Sequence, residues 1–125
     1  GTKNDGTLMV LSGYKTYDKI GGPTGDGPAQ PMQPGAWYEL WYVINNTPKD
    51  AGGQRYDLYV RGGEFTEQTR VFDGAVFRMN RDAPLKHFMT ICNTGPADKP
   101  YGNGGVSYDD IYMSAGKVLS SPLGN

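Results

Sequence analysis

Apolar side chains recur at every second position in several short stretches, and no window sustains the three-and-four spacing of a helix over three turns. The clearest stretch is residues 36–46 (AWYELWYVINN). Tyr38, Leu40, Tyr42 and Ile44 fall on one face, and Trp37, Glu39, Trp41 and Val43 on the other. A strand apolar on both sides is expected either at the centre of a covered sheet or with one face given to binding. Residues 55–61 (RYDLYVR) alternate Tyr56, Leu58 and Val60 against Asp57, Tyr59 and Arg61. The intervening residues 46–53 have the composition of a hairpin loop, so the two strands are expected to pair antiparallel.

The remaining candidate strands are residues 7–12 (TLMVLS) after an Asp-Gly turn, 14–20, one or two strands within 69–79 around Asp73-Gly74, 85–93 (LKHFMTICN) and 106–114 (VSYDDIYMS). In the last of these, Val106, Tyr108, Asp110 and Tyr112 share a face. Residues 21–34 hold four Gly and four Pro and read as a loop, as do residues 94–105. Strands spaced by about ten residues and separated by turns predict an all-β fold, an antiparallel β-sandwich or barrel. At 125 residues the chain has the length of one domain, expected to span residues 1–125.

Composition narrows the function classes. Gly (19) and Pro (9) exceed a fifth of the chain, which suits short strands and turns rather than long helices. Lys and Arg (12) nearly balance Asp and Glu (13) without a basic run, so the electrostatic attraction that dominates nucleic-acid binding is missing. No apolar stretch reaches the roughly 18 residues needed for a membrane-spanning helix. Cys92 is the single cysteine, which excludes an internal disulfide and reads as a small buried hydrophobe. The chain opens Gly1-Thr2-Lys3 without an initiator Met or a signal peptide, as expected where a preceding segment has been removed.

Three segments together resemble a known family. They are Gly35-Ala36-Trp37-Tyr38 opening a strand that ends in Asn45-Asn46; Tyr56-Asp57-Leu58-Tyr59-Val60 followed by Gly62-Gly63; and Tyr108-Asp109-Asp110-Ile111-Tyr112 trailing into Gly116-Lys117 and Ser121-Pro122. With the Phe77-Arg78 pair, this order is similar to the second half of bacterial laminin-G-like, concanavalin A-like jelly-roll domains, over roughly residues 34–123. The resemblance implies two antiparallel sheets, one often curved, with a concave face that binds glycans in many relatives. Full domains of this kind carry more strands ahead of the Gly-x-Trp segment than residues 7–20 supply. The sandwich is therefore expected to be reduced or incomplete, with open sheet edges that invite self-association or a second polypeptide.

Catalysis has little to stand on. His87 is the only histidine, so multi-imidazole metal sites are excluded, and alternation places it with Leu85, Met89 and Ile91 as a packed side chain. No Gly-x-Ser-x-Gly elbow occurs. The three glutamates, Glu39, Glu64 and Glu67, do not fall in the paired-carboxylate frame of jelly-roll hydrolases. Nor do the strand motifs of jelly-roll polysaccharide lyases occur in the corresponding strands. No catalytic residue is assigned, and the chain is read as a non-enzyme.

Binding has more. Sugars stack their C–H faces on aromatic rings and bond their hydroxyls to short polar partners. Paired strands 36–46 and 55–61 would gather Glu39, Trp41, Asp57, Tyr59 and Arg61 into one ligand patch, with Tyr101 in the second Gly-rich loop as a further stacking platform. The alternative for Trp37 and Trp41 is that both fill the sandwich core. Asp109 and Asp110 resemble the acidic pair that helps hold a structural Ca²⁺ in related jelly rolls, although adjacent strand residues point oppositely. Buried with its neighbours, Asp110 would otherwise need Arg78 or several N–H donors. Asn45-Asn46-Thr47 matches the N-glycosylation triplet, which Pro48 makes less attractive.

Three expectations follow for function. The first is a non-catalytic carbohydrate-binding module, secreted or at the cell surface, that recognises polysaccharide through an aromatic sheet face. The second is a structural or self-assembling surface or filament subunit, and the third a fragment of a larger carbohydrate-active enzyme.

Overall fold

The computed structural model describes residues 7–13, 16–19, 31–77, 82–89, 96–100 and 106–124, with the backbone alone for residues 11–13, 16 and 17. The chain divides into two compact units, one over residues 5–85 and one built on residues 86–125, and each is described by itself.

The first unit is built of strands in two antiparallel sheets. Strands β1 (Met9–Gly13) and β2 (Thr16–Lys19) form a two-stranded ribbon. Strands β3 (Tyr38–Asn45), β4 (Arg55–Gly62) and β5 (Phe65–Val76) form a three-stranded sheet in that order. Among the described residues the one helical element is a 3₁₀ turn, Lys49–Ala51, inside the β3–β4 loop. No described helix is long and apolar enough to cross a membrane. The strand-rich, nearly helix-free architecture agrees with the periodicity, and β3 and β4 pair antiparallel as expected, from Tyr38 opposite Gly62 to Asn45 opposite Arg55.

Tyr38, Leu40, Tyr56, Leu58 and Val60 alternate onto one face, and that face carries the core. Leu58 and Val60 are the most deeply buried large side chains described, at 2% and 0% exposure. Val10 of β1 joins Leu58 and Ala75 in one cluster, while Leu8 packs against a second, Val60 with Phe65. Leu40, Val71 and Phe72 pack against both clusters. The ribbon thus covers one face of the three-stranded sheet.

Strand β5 spends twelve residues opposite the eight of β4. Register shifts at three places absorb the difference, one of them around Asp73-Gly74 and another at Val71. Each leaves surplus residues on β5 and increases local twist without ending the strand. Asp73-Gly74 therefore bulges one strand rather than separating two. Gly74 takes φ +70°, a left-handed conformation that glycine adopts without a Cβ penalty. At the β4–β5 turn, Gly62 sits at φ +126°, and a Cβ there would strike the Trp37 carbonyl oxygen. The phenol of Tyr38 ties the same corner, donating to Glu64 Oε2 at 2.8 Å and accepting from the Gln33 N–H at 2.8 Å.

Two expected strands do not form where they can be seen. Residues 85–89 carry no strand; at Leu85 the backbone is bonded instead by the Asn46 amide, which accepts from Leu85 N at 2.8 Å and donates to Leu85 O at 3.2 Å. His87 is exposed there rather than packed. Residues 106–114 also carry no strand and are exposed throughout. Asp110 adopts φ +51°, and its N–H is bonded to Asp109 Oδ1 at 2.8 Å, a local turn interaction that competes with ladder formation. The expectations for residues 90–93 and Cys92, and for the loop at residues 21–30, lie outside the described residues.

A charged aromatic face on the three-stranded sheet

Opposite the core face, β3 and β4 present their other alternating set. The register places Glu39 directly across from Arg61, Trp41 across from Tyr59 and Val43 across from Asp57. Strand β5 adds Arg70 across from Tyr59. Five of the expected ligand residues, Glu39, Trp41, Asp57, Tyr59 and Arg61, therefore share one surface, and all five are half-buried. Tyr101 lies outside the described residues.

Arg61 organises the centre of this face. Its Nε and Nη2 approach Glu39 Oε1 at 3.1 and 2.5 Å, and its guanidinium carbon lies 5.7 Å from the centre of the Trp41 ring. A guanidinium over an indole is attracted by the ring quadrupole, by about 0.5–1 kcal/mol where solvent still reaches it. The ion pair is about one-third exposed on each side, at 27% and 32%. Together they bias the indole toward one orientation before any ligand arrives.

At the β5 bulge, two β4 side chains bracket one glycine. Asp57 Oδ1 accepts the Gly74 N–H at 2.8 Å, and Arg55 Nη1 donates to the Gly74 carbonyl at 2.8 Å. Asp57 thus satisfies backbone that the bulge has removed from the ladder. Nearby, Arg70 Nη2 lies 3.4 Å from Asp73 Oδ2, a more exposed and correspondingly weaker pair. Arg70 and the Gly74 bracket were missed by period-two reading because the bulges shift β5 out of alternation; the Asp73-Gly74 dipeptide inside an apolar run was the available signal.

Trp37 corrects the expectation of a core ring. Its side chain is 68% exposed. It precedes β3 on the same alternation as Trp41, and the ribbon that supplies the second layer packs on the opposite face. Around the far end of the sheet, a cleft of about 250 Å³ touches Val43, Asn45, Arg55, Asp57 and Gly74. That is below the roughly 300–1,000 Å³ of enclosed small-molecule sites. This end of the face is an open cleft rather than an enclosed pocket.

For the proposed ion site, Asp109 and Asp110 are both exposed, and the Asp109 carboxylate is turned onto the Asp110 N–H. Among the described residues, no group of three or more His, Cys, Asp or Glu side chains comes together to hold a metal. Arg78, the alternative partner for Asp110, lies outside the described residues.

No family model matches the chain, and neither a curated protein nor a solved structure matches it significantly.

Proposed function

We propose that this chain is a non-catalytic carbohydrate-binding module, extracellular like the laminin-G-like domains it resembles, which binds polysaccharide along the face of β3 and β4. The observation that carries the reading is the Trp41–Arg61–Glu39 cluster beside Tyr59. It offers an aromatic surface, biased in orientation by Arg61 and rimmed by short-range hydrogen-bonding groups, on the face opposite the core. Biasing the ring in advance reduces the ordering cost of binding. The ribbon packed over the other face supports this reading, since a sandwich needs a second layer.

Affinity electrophoresis through gels containing soluble polysaccharides, followed by titration calorimetry, tests it. Wild type should be retarded by at least one glycan. Trp41→Ala, checked by circular dichroism for a retained fold, should weaken binding roughly tenfold or more, a loss of about 1.4 kcal/mol. A folded wild type that no glycan retards would remove this function.

A second reading is favoured by the position of β3. It is the outer strand of its sheet, no described strand pairs with its other edge, and Tyr42 and Ile44 remain 46% and 47% exposed. An eight-residue apolar edge is a template for another strand. Concentration-dependent association in sedimentation, without glycan binding, would favour a self-assembling subunit instead.

A further inference from the structure

We infer that Glu39 sets the specificity of this face, making it select uncharged glycans over uronate-bearing or sulfated ones. The inference rests on the carbohydrate reading above and adds the chemical class of the ligand. Arginine is the usual receptor for sugar-borne anions, because its planar fork matches a carboxylate or sulfate with two parallel bonds. The face holds three arginines that could play this part, Arg55, Arg61 and Arg70.

Each already has an acceptor. Arg61, the one beside the aromatic rings, directs two nitrogens at Glu39 Oε1 while its guanidinium carbon lies over the Trp41 ring. Arg55 donates to the Gly74 carbonyl. Arg70 is matched with Asp73. An incoming uronate would have to separate Arg61 from Glu39 and then lie against the displaced carboxylate. The three arginines are also balanced by Glu39, Asp57 and Asp73, so the face lacks the single-sign field that draws anionic polymers from solution. An uncharged sugar escapes both penalties. It uses Tyr59 and the ring surface that Arg61 leaves open, and keeps the ion pair intact.

The test compares wild type with Glu39→Gln, which keeps an amide oxygen for Arg61 and removes the negative charge. Binding to galactomannan and mixed-linkage glucan is measured beside polygalacturonate and heparin, at low salt and at about 0.15 M, where the screening length is about 8 Å. Wild type should bind an uncharged polymer at least roughly tenfold more tightly than either polyanion, with little salt dependence. In Glu39→Gln the ratio of polygalacturonate to uncharged affinity should rise roughly tenfold at low salt and fall back as salt is added. Wild type that prefers a polyanion would overturn this inference and leave the carbohydrate reading standing. So would an unchanged ratio in Glu39→Gln. Absence of binding to all four polymers would remove the carbohydrate reading itself.

Discussion

Residues 38–45 and 106–114 look alike on paper and end differently. Both alternate, both mix Tyr with branched aliphatics, and both include acidic positions. The first becomes β3, held by eight register pairs to β4. The second forms no strand, and its apolar side chains stand 52–94% exposed, from Tyr108 to Met113. Alternation records which face a strand would bury, but a strand also needs a partner for its backbone. The first stretch has one close by, reached through a short loop stitched by Asn45 and the buried Gln54, whose amide donates to the Asn46 and Thr47 carbonyls. The second follows a long Gly/Pro-rich segment, and its own Asp109 offers the backbone a local alternative.

The sharpest way to break this contrast is a pair of truncations. Leu58→Ala removes a side chain 2% exposed from the cluster shared with Val10 and Ala75, and should cost about 2–5 kcal/mol. Met113→Ala removes a side chain 94% exposed and should stay within about 0.5 kcal/mol. Urea unfolding of both variants decides it. Equal losses would show that residues 106–114 carry as much packing as the sheet, and the distinction between the two regions would fall.

What was legible in the chain follows the same division. The β3–β4 hairpin and the gathering of Glu39, Trp41, Asp57, Tyr59 and Arg61 could be read because both strands keep strict period two and their connection is short. Strand β5 was legible only as one or two strands. Its bulges change the period at Val71 and Asp73-Gly74, so Arg70 could not be assigned to a face in advance. The pairing of Asn46 with the Leu85 backbone was not legible at all, because a side-chain amide replacing a ladder leaves no periodic trace. The ion pair was only partly legible: alternation put Glu39 and Arg61 on one face, but neither their facing register nor the guanidinium over Trp41 could be foretold from spacing.

A smaller effect separates the half-buried phenols Tyr38 and Tyr56 from ordinary tyrosine. Burial raises Tyr56 above its usual value of 10.0. Tyr38 is raised chiefly by burial; the Gln33 N–H pulls it down, and the hydrogen bond and charge of Glu64 add to the rise. A phenol whose pKa is higher folded than unfolded keeps its proton in the native state after the unfolded chain has lost it. The stabilisation is therefore complete below about pH 10 and is lost as pH rises through the elevated native values. Stability measured by urea unfolding between pH 8 and 11 should fall on the alkaline side, and Tyr38→Phe should flatten part of that fall. An alkaline limb identical in the variant would show that the Tyr38 phenol titrates alike in the folded and unfolded chain.

The smallest effect is expected where a large one would ordinarily be assumed. Truncating a core tryptophan costs about 3–5 kcal/mol, and Trp37 begins the most apolar stretch of the chain. Its ring is nevertheless 68% exposed, because the covering ribbon lies on the opposite face of the sheet. What the position contributes is backbone: the Trp37 carbonyl is the surface against which Gly62 must fit, and alanine preserves it. Trp37→Ala should therefore shift the urea midpoint by no more than about 0.5 kcal/mol of stability. A loss near the core value would place a second layer of protein over the charged aromatic face. The same result would bury Trp41 and Tyr59, so one melting comparison bears on the fold and on the proposed ligand surface together.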